Sequence, residues 1–264
     1  MTEAMGRSTR SPRVVAIIPG RFQSSRFPGK MLAAETGQPL IAHVVDRARL
    51  SRFVSEVVVA TDDERIVRAA EAHGVRCILT RSDHANGTSR IAEAIGDVDG
   101  GIIVNVQGDE PELEPSLIDA TVAALLTDPG APVATLASEF EPHEDPTNPN
   151  IVKCVGATIG GRRRALWFSR SLVPFDRDAK GAAAEAHPLK HVGLYVYRRE
   201  FLATFVGLAP TPCERTEQLE QLRVLEHGFP IALALGRSTS QGIDTPEQYA
   251  AFVERWRRST GGSA

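Results

Sequence analysis

The chain has 264 residues, 42% hydrophobic and 24% charged, with a net charge of -3. That length accommodates one large domain, or one domain with a small attachment. The near-balanced charge excludes a general nucleic-acid binder, which needs a strongly basic face, and no window approaches the ~20 apolar residues of a membrane span. In chain order, residues 1–12 are polar and basic with no apolar core behind them, and read as a disordered tail rather than a secretion signal. "VVAIIP" (14–19) is a buried strand, and "PLIAHVVDRARL" (39–50) a helix whose Leu40, Val44, Val45 and Ala48 share a face. "EVVVAT" (56–61) is a second strand, followed by a helix over 63–74 capped by Asp62 or Asp63 and stopped by Gly74. A strand at 75–80, a short helix at 88–96, a strand at 101–107 and a Pro-initiated helix at 115–126 complete the first half.

The strands of this half are nearly continuously apolar with helices between them. That pattern specifies an α/β, Rossmann-like, mostly parallel sheet covered on both faces. The stretches at 133–140, 151–159, 164–169 and 192–199 are longer strands of mixed polarity with Pro-rich connections, and predict a smaller antiparallel lobe over 133–200. A helix at 213–228, a strand at 231–236 and a helix at 245–258 capped by Thr245 close a single domain over 13–258. Cys77, Cys154 and Cys213 lie too far apart for a zinc site or a disulfide scaffold. They read as free thiols of a reducing compartment, which makes the cytoplasm the expected location.

Three stretches carry chemistry. "PGRFQSSRFPGK" (19–30) sets Arg21, Arg26 and Lys30 on a Gly/Ser-rich turn directly after the first strand. Backbone amides on such a turn cradle phosphate oxygens, and Arg and Lys neutralise them, but a solvated basic turn reads the same way. The spacing is neither a Walker A nor a dinucleotide-binding motif. "VNVQGDEPELEP" (104–115) places Asp109 after Gly108 at a strand end, with Glu110, Glu112 and Glu114 expected to be solvated. Phosphates and carboxylates repel, so a site containing both requires a divalent cation, and Mg²⁺ typically takes one or two carboxylates plus phosphate and water. Asp244 in "QGIDTPEQ" is the best-placed second carboxylate, although it could equally belong to a helix-capping turn.

These pieces in this order, with "TRSDHANGTSRIAE", "NPNIVK", "WFSRSLVPFDR", "KHVGLYVYR" and "EQLEQLRVL" between them, resemble the 3-deoxy-manno-octulosonate (Kdo) cytidylyltransferase family over about residues 14–250. The resemblance implies a homodimeric nucleotidyltransferase that moves CMP from CTP to the anomeric hydroxyl of an acidic sugar acceptor, Kdo, with release of pyrophosphate. It implies that Arg21, Ser25, Arg26 and Lys30 hold the triphosphate while Gly20, Ser24 and Ser25 let the backbone approach. Asp109 and Asp244 would carry Mg²⁺, with Lys30 and Arg21 acting on charge that develops at the phosphates. The cytosine pocket would draw on Ala60, Asp62, Arg81, Asn86, Gly87, Thr88 and Arg90, and the sugar acid would meet Gln107, Arg170, Arg177, His191, Tyr195, Glu220 and Gln221. The chain departs from the family pattern at Gly20, at Asn86, at Ser89, where an acid is usual, and at Phe175, where a Trp is common. Two rival expectations are a same-fold cytidylyltransferase for another acid (amino-Kdo, a sialic-acid-like sugar or a small phosphonate) and a catalytically silent CTP-binding regulator.

Overall fold

A computed structural model describes residues 12–24, 26–178, 187–240 and 242–261. The expected tail, residues 1–11 of it, and the site residue Ser25 lie outside the described residues. The first strand, β1 (Val14–Gly20), pairs in parallel with β2 (Val54–Thr61) and β4 (Ile102–Asn105), and β2 pairs with β3 (Arg76–Leu79). Helices α1 (Leu40–Arg49), α2 (Glu64–Ala72), α3 (Gly87–Ala94) and α4 (Pro115–Thr127) connect and follow them. Asp63 caps α2 by accepting from the Arg65 amide, and Gly74 ends it with φ 69°.

The remaining strands are β5 (Val133–Ser138), β6 (Lys153–Ile159), β7 (Arg162–Ser169), β8 (Leu189–Arg198) and β9 (Ile231–Leu235). They extend the same sheet in the order β3-β2-β1-β4-β8-β5-β9-β7-β6. β8 runs antiparallel to both β4 and β5, whereas β5 pairs in parallel with β9, so β8 is set between parallel pairs and the antiparallel pairing expected over 133–200 resumes only at β7 and β6. Its first residues also pair with β6, Lys153 opposite Lys190, so the antiparallel end curls back on itself.

Strand residues alternate between two apolar layers, as the two-residue period of a strand requires. Ala16, Ile18, Val59 and Val104 face α1, α2 and α4. Val15, Ile17, Ala60 and Ile103 face α3, α5 (Arg199–Val206) and α7 (Gln221–Glu226). A third cluster packs α8 (Pro246–Thr260) onto the start of α1 through Leu40, Ile243, Tyr249, Phe252 and Val253.

Two expectations need correction. The helix predicted over 213–228 is broken into α6 (Pro212–Glu217) and α7 by Gln218, which adopts φ 53° and bonds its side chain to the Arg215 carbonyl. The strand predicted to run to residue 199 ends at Arg198, and α5 follows, because Phe201, Leu202 and Phe205 recur at helical spacing and bury a face. The cysteines are free, and burial pushes the Cys154 thiol up to about 12. Among the described residues no helix is long and apolar enough to cross a membrane.

One pair, a buried carboxylate and a half-buried guanidinium, fastens α4 to β7. Asp128, at the end of α4, accepts two bonds from Arg164 of β7 at 2.7 and 2.9 Å, and a third from the Gly130 amide. The Arg164 guanidinium holds the carboxyl below its ordinary value of 3.8. A depressed carboxylate contributes stability that is present above the unfolded value and is lost as pH falls through the folded one. Asp128→Asn is expected to lower stability by about 1–2 kcal/mol at pH 7, since the Arg164 left behind is partly solvated, a deficit that shrinks below pH 3.8, as chemical denaturation across pH will register.

Candidate active site

The carboxyl ends of β1 and β4 open onto a cleft of 240 Å³. Pro19, Gly20, Arg21, Ser24, Arg26 and Lys30 form one wall, Asn86, Gly87 and Arg90 a second, and Gln107, Gly108, Asp109 and Asp244 a third. Local geometry explains how each wall is set. The loop after β1 folds back at Gly29, whose φ of 73° suits glycine and whose amide donates to the Phe22 carbonyl at 2.9 Å. This turn swings Lys30 inward until its side chain is only 7% exposed. At Gly108 a Cβ would meet the Pro19 carbonyl oxygen and the Met31 methyl, both at 2.9 Å, so glycine alone lets the β4 loop approach β1 and present Asp109.

The 242–244 segment completes the junction. Ile243 is buried in the α8 cluster, and its amide donates to the Asp109 carbonyl at 2.8 Å. Asp244 therefore arrives beside Asp109 from far along the chain. The Lys30 Nζ sits between them, 2.7 Å from Asp109 Oδ2, 3.1 Å from Asp244 Oδ1 and 2.7 Å from the Ile243 carbonyl. Arg26 donates to the other oxygen of Asp244 at 2.8 Å. Arg21 is exposed and, among the described residues, makes no ion pair.

Among the described residues no group of three or more His, Cys, Asp or Glu converges, so a closed protein cage for a metal is absent. The donor set that is present, two half-exposed carboxylates meeting at one point beside a basic loop, fits Mg²⁺, which completes its shell with phosphate oxygens and water. The neighbouring acids differ from expectation. Glu112 pairs with Arg255 and Glu114 with Arg47, whereas burial, with the Asp109 charge added, raises the Glu110 carboxyl to about 7. Nothing in the residue pattern separates Glu110 from its acidic neighbours.

On the second wall, Ala60 is buried in β2 opposite Pro19, and Asp62 follows that strand. Arg90 is 3% exposed and donates to Asp62 at 2.9 Å and to the Thr80 hydroxyl, so it is held as a buried ion pair. Arg81 lies on the surface against Glu93. Asn86 caps α3 by accepting from the Ser89 amide, and Gly87 begins that helix beside Pro19. His84 lines the cleft, bound to Glu93 and to Ser89, and sequence reasoning passed over it.

The residues expected at the acceptor gather on the α3/α5/α7 side of β8. Glu220 accepts from Asn86 Nδ2 and from the Thr88 hydroxyl, both at 2.8 Å, so it ties this group to the second wall. Burial raises its carboxyl. Gln107 donates to the Gly193 carbonyl at 3.1 Å. His191 is bonded to the Thr135 hydroxyl at 3.0 Å and stacked edge-on against Phe168, and burial pushes its imidazole down to about 4. Tyr195 packs between His191 and Tyr197, with its phenol raised by burial. Arg170 directs its guanidinium at backbone carbonyls, those of Glu217 at 2.7 Å, Pro149 at 3.0 Å and Gln218 at 3.4 Å. Lys153, fully buried, reaches the Asn148 carbonyl at 2.9 Å. Arg170 thus fastens the "NPN" turn to the broken helix that carries Glu220 and Gln221, and Lys153 holds the same turn to β6. Arg177 is exposed on the segment that follows β7.

A family model described as "Cytidylyltransferase" matches residues 15–233. A curated protein named 3-deoxy-manno-octulosonate cytidylyltransferase from Geobacter metallireducens is 47% identical over 253 residues, covering 93% of this chain and 98% of its own length. Its namesake from Syntrophobacter fumaroxidans is 48% identical over 244 residues, covering 91% and 96%. Among solved structures, a CMP:2-keto-3-deoxy-manno-octonic acid synthetase complexed with CTP is similar with a TM-score of 0.87 and 39% identity, over 94% of this chain and 99% of that one. With matches of this extent, the chain belongs to the 3-deoxy-manno-octulosonate cytidylyltransferase family.

Proposed function

We propose that this chain moves CMP from CTP to the anomeric hydroxyl of 3-deoxy-manno-octulosonate and releases pyrophosphate, as a Mg²⁺-dependent cytoplasmic homodimer. The observation that carries this reading is the junction of Lys30, Asp109 and Asp244 at one end of a cleft, in a chain 47% identical to a named enzyme of that activity.

Chemically, the acceptor hydroxyl oxygen bonds to the α-phosphorus as the bond to pyrophosphate breaks, in line with it, and the hydroxyl proton passes to solvent. Lys30 and Arg21 oppose the negative charge that builds on the phosphate oxygens. Arg26, Ser24 and the backbone at Gly20 hold the triphosphate, and Ser25 belongs to the same stretch of chain. Gly108 and the Ile243 amide, which donates to the Asp109 main-chain carbonyl, fix the backbone that presents the Asp109 carboxylate. Mg²⁺, when held by Asp109 and Asp244, supplies Lewis acidity towards the phosphate oxygens.

Base recognition falls to Ala60, Asp62, Arg81, Asn86, Gly87, Thr88 and Arg90, a reading supported by the lining of the cleft by Asn86, Gly87 and Arg90. Acceptor recognition falls to Gln107, Arg170, Arg177, His191, Tyr195, Glu220 and Gln221. A neutral His191 serves there as a hydrogen-bonding group, because burial keeps it uncharged at neutral pH. Exposed Ile159, Leu166 and Leu235 on the antiparallel strands supply apolar surface for a second copy.

Asp109→Asn is expected to reduce pyrophosphate release by about 10²–10³-fold or more while leaving the melting transition in place; near-normal turnover would remove Asp109 from the mechanism. Chelation with EDTA is expected to abolish activity, and added Mg²⁺ to restore it, in the same assay. Light scattering is expected to return twice the chain mass of 28.5 kDa, and a monomer at assay concentration would overturn the dimer.

A further inference from the structure

Among the described residues, two buried side-chain polar atoms have no hydrogen-bond partner, Asn105 Oδ1 and Gln221 Nε2. Asn105 is 3% exposed and Gln221 6%. Leaving such a group unpaired costs roughly 1–3 kcal/mol, so native proteins satisfy nearly all of them. Because neither atom has a partner, they do not pair with each other.

Both belong to one side of the sheet. Asn105 ends β4 and follows Ile103 by two residues, so it shares Ile103's face, the one covered by α3, α5 and α7. Its direct neighbours in the sheet are Ile17 of β1 and Tyr195 of β8. Two residues beyond it is Gln107, which lines the cleft. Gln221 opens α7, next to Glu220, which reaches Asn86 and Thr88 at the start of α3 within the same helical layer. One orphan is an acceptor on the sheet and the other a donor on a helix of the layer that covers this face.

We infer that Asn105 is a further acceptor-binding residue, which receives a hydroxyl of the polyhydroxylated acid while Gln221 donates to a second oxygen of it. This rests on the cytidylyl-transfer reading above and deepens it. A polyol is the ligand that such a pair suits, since each hydroxyl both donates and accepts. A phosphate offers no donor to Asn105 Oδ1, so the nucleotide's anionic end does not satisfy it. Nothing in the sequence pattern marked Asn105, because an Asn at a strand end is commonplace.

The test uses the full chain with Asn105→Leu, near in volume but unable to accept, and Asn105→Ala as a second variant. Pyrophosphate release is measured against CTP and against Kdo separately, and melting is measured without ligand. The expected result is a roughly ten-fold rise in the KM for Kdo with the KM for CTP unchanged. Without ligand, Asn105→Leu is expected to melt at the wild-type temperature or above it, because an unsatisfied buried group is removed. An unchanged KM for Kdo in both variants, with active wild type, overturns the inference and leaves the cytidylyl-transfer reading intact. Lowered melting with both KM values rising together assigns Asn105 a structural role and also overturns it. Wild type that releases no pyrophosphate with Kdo overturns the transfer reading and this inference with it.

Discussion

Lys30 is the residue on which the candidate site depends. Its ammonium is nearly buried, and burying a charge without partners is prohibitive. Three oxygens surround it, from Asp109, Asp244 and the Ile243 backbone. They come from the loops after β4 and before α8, while Lys30 itself comes from the loop after β1. The ammonium therefore joins three distant stretches at one point. Each stretch has its own reason to be there: the Gly29 turn, the absence of a side chain at Gly108, and the burial of Ile243 under α8.

The same sheet builds two kinds of wall because β8 runs antiparallel between parallel pairs. On the parallel side, loops leave the carboxyl ends of β1, β2 and β4, as ligand-binding loops do in open α/β sheets. On the antiparallel side, β8 runs back beside β4, so Tyr195 stands opposite Asn105. Glu220 closes the gap by bonding to Asn86 and Thr88 of α3. The proposed base pocket and the proposed acceptor pocket thus meet through one carboxylate. Its position depends on the break at Gln218, which Arg170 holds through the carbonyls of Glu217 and Gln218.

Much of this was legible in the sequence. Apolar runs bounded by Gly, Pro and Asp mark β1 to β4 because buried parallel strands leave little choice of residue. Asp109 stood out because it follows a glycine at a strand end, and Asp244 because a second carboxylate was wanted. The illegible parts have a common cause, namely tertiary contact. The leucines over 213–228 continue a helical pattern through Gln218, and only the carbonyls drawn to Arg170 reveal the break. Glu110 looks like its acidic neighbours until the fold buries it. The bonds of Arg170 to the carbonyls of Glu217, Pro149 and Gln218 are announced by no spacing along the chain. The pattern shows what each residue offers and not what the folded chain has already taken up.

Charge balance links these points to the chemistry. Arg21, Arg26 and Lys30 face Asp109 and Asp244, three cations against two carboxylates, while Arg90 is neutralised by Asp62. One surplus positive charge does not balance a triphosphate, which carries several negative ones. Nor can the two carboxylates lie against phosphate oxygens unaided, since like charges at close range in a partly dry cleft repel strongly. A divalent cation resolves both difficulties at once, by screening the carboxylates from the phosphates and adding positive charge where it is short. In the proposed reaction the acids after β4 and before α8, by holding such a cation, let a triphosphate settle in this cleft, and Lys30, already drawn in by them, is proposed to oppose the charge that builds during transfer.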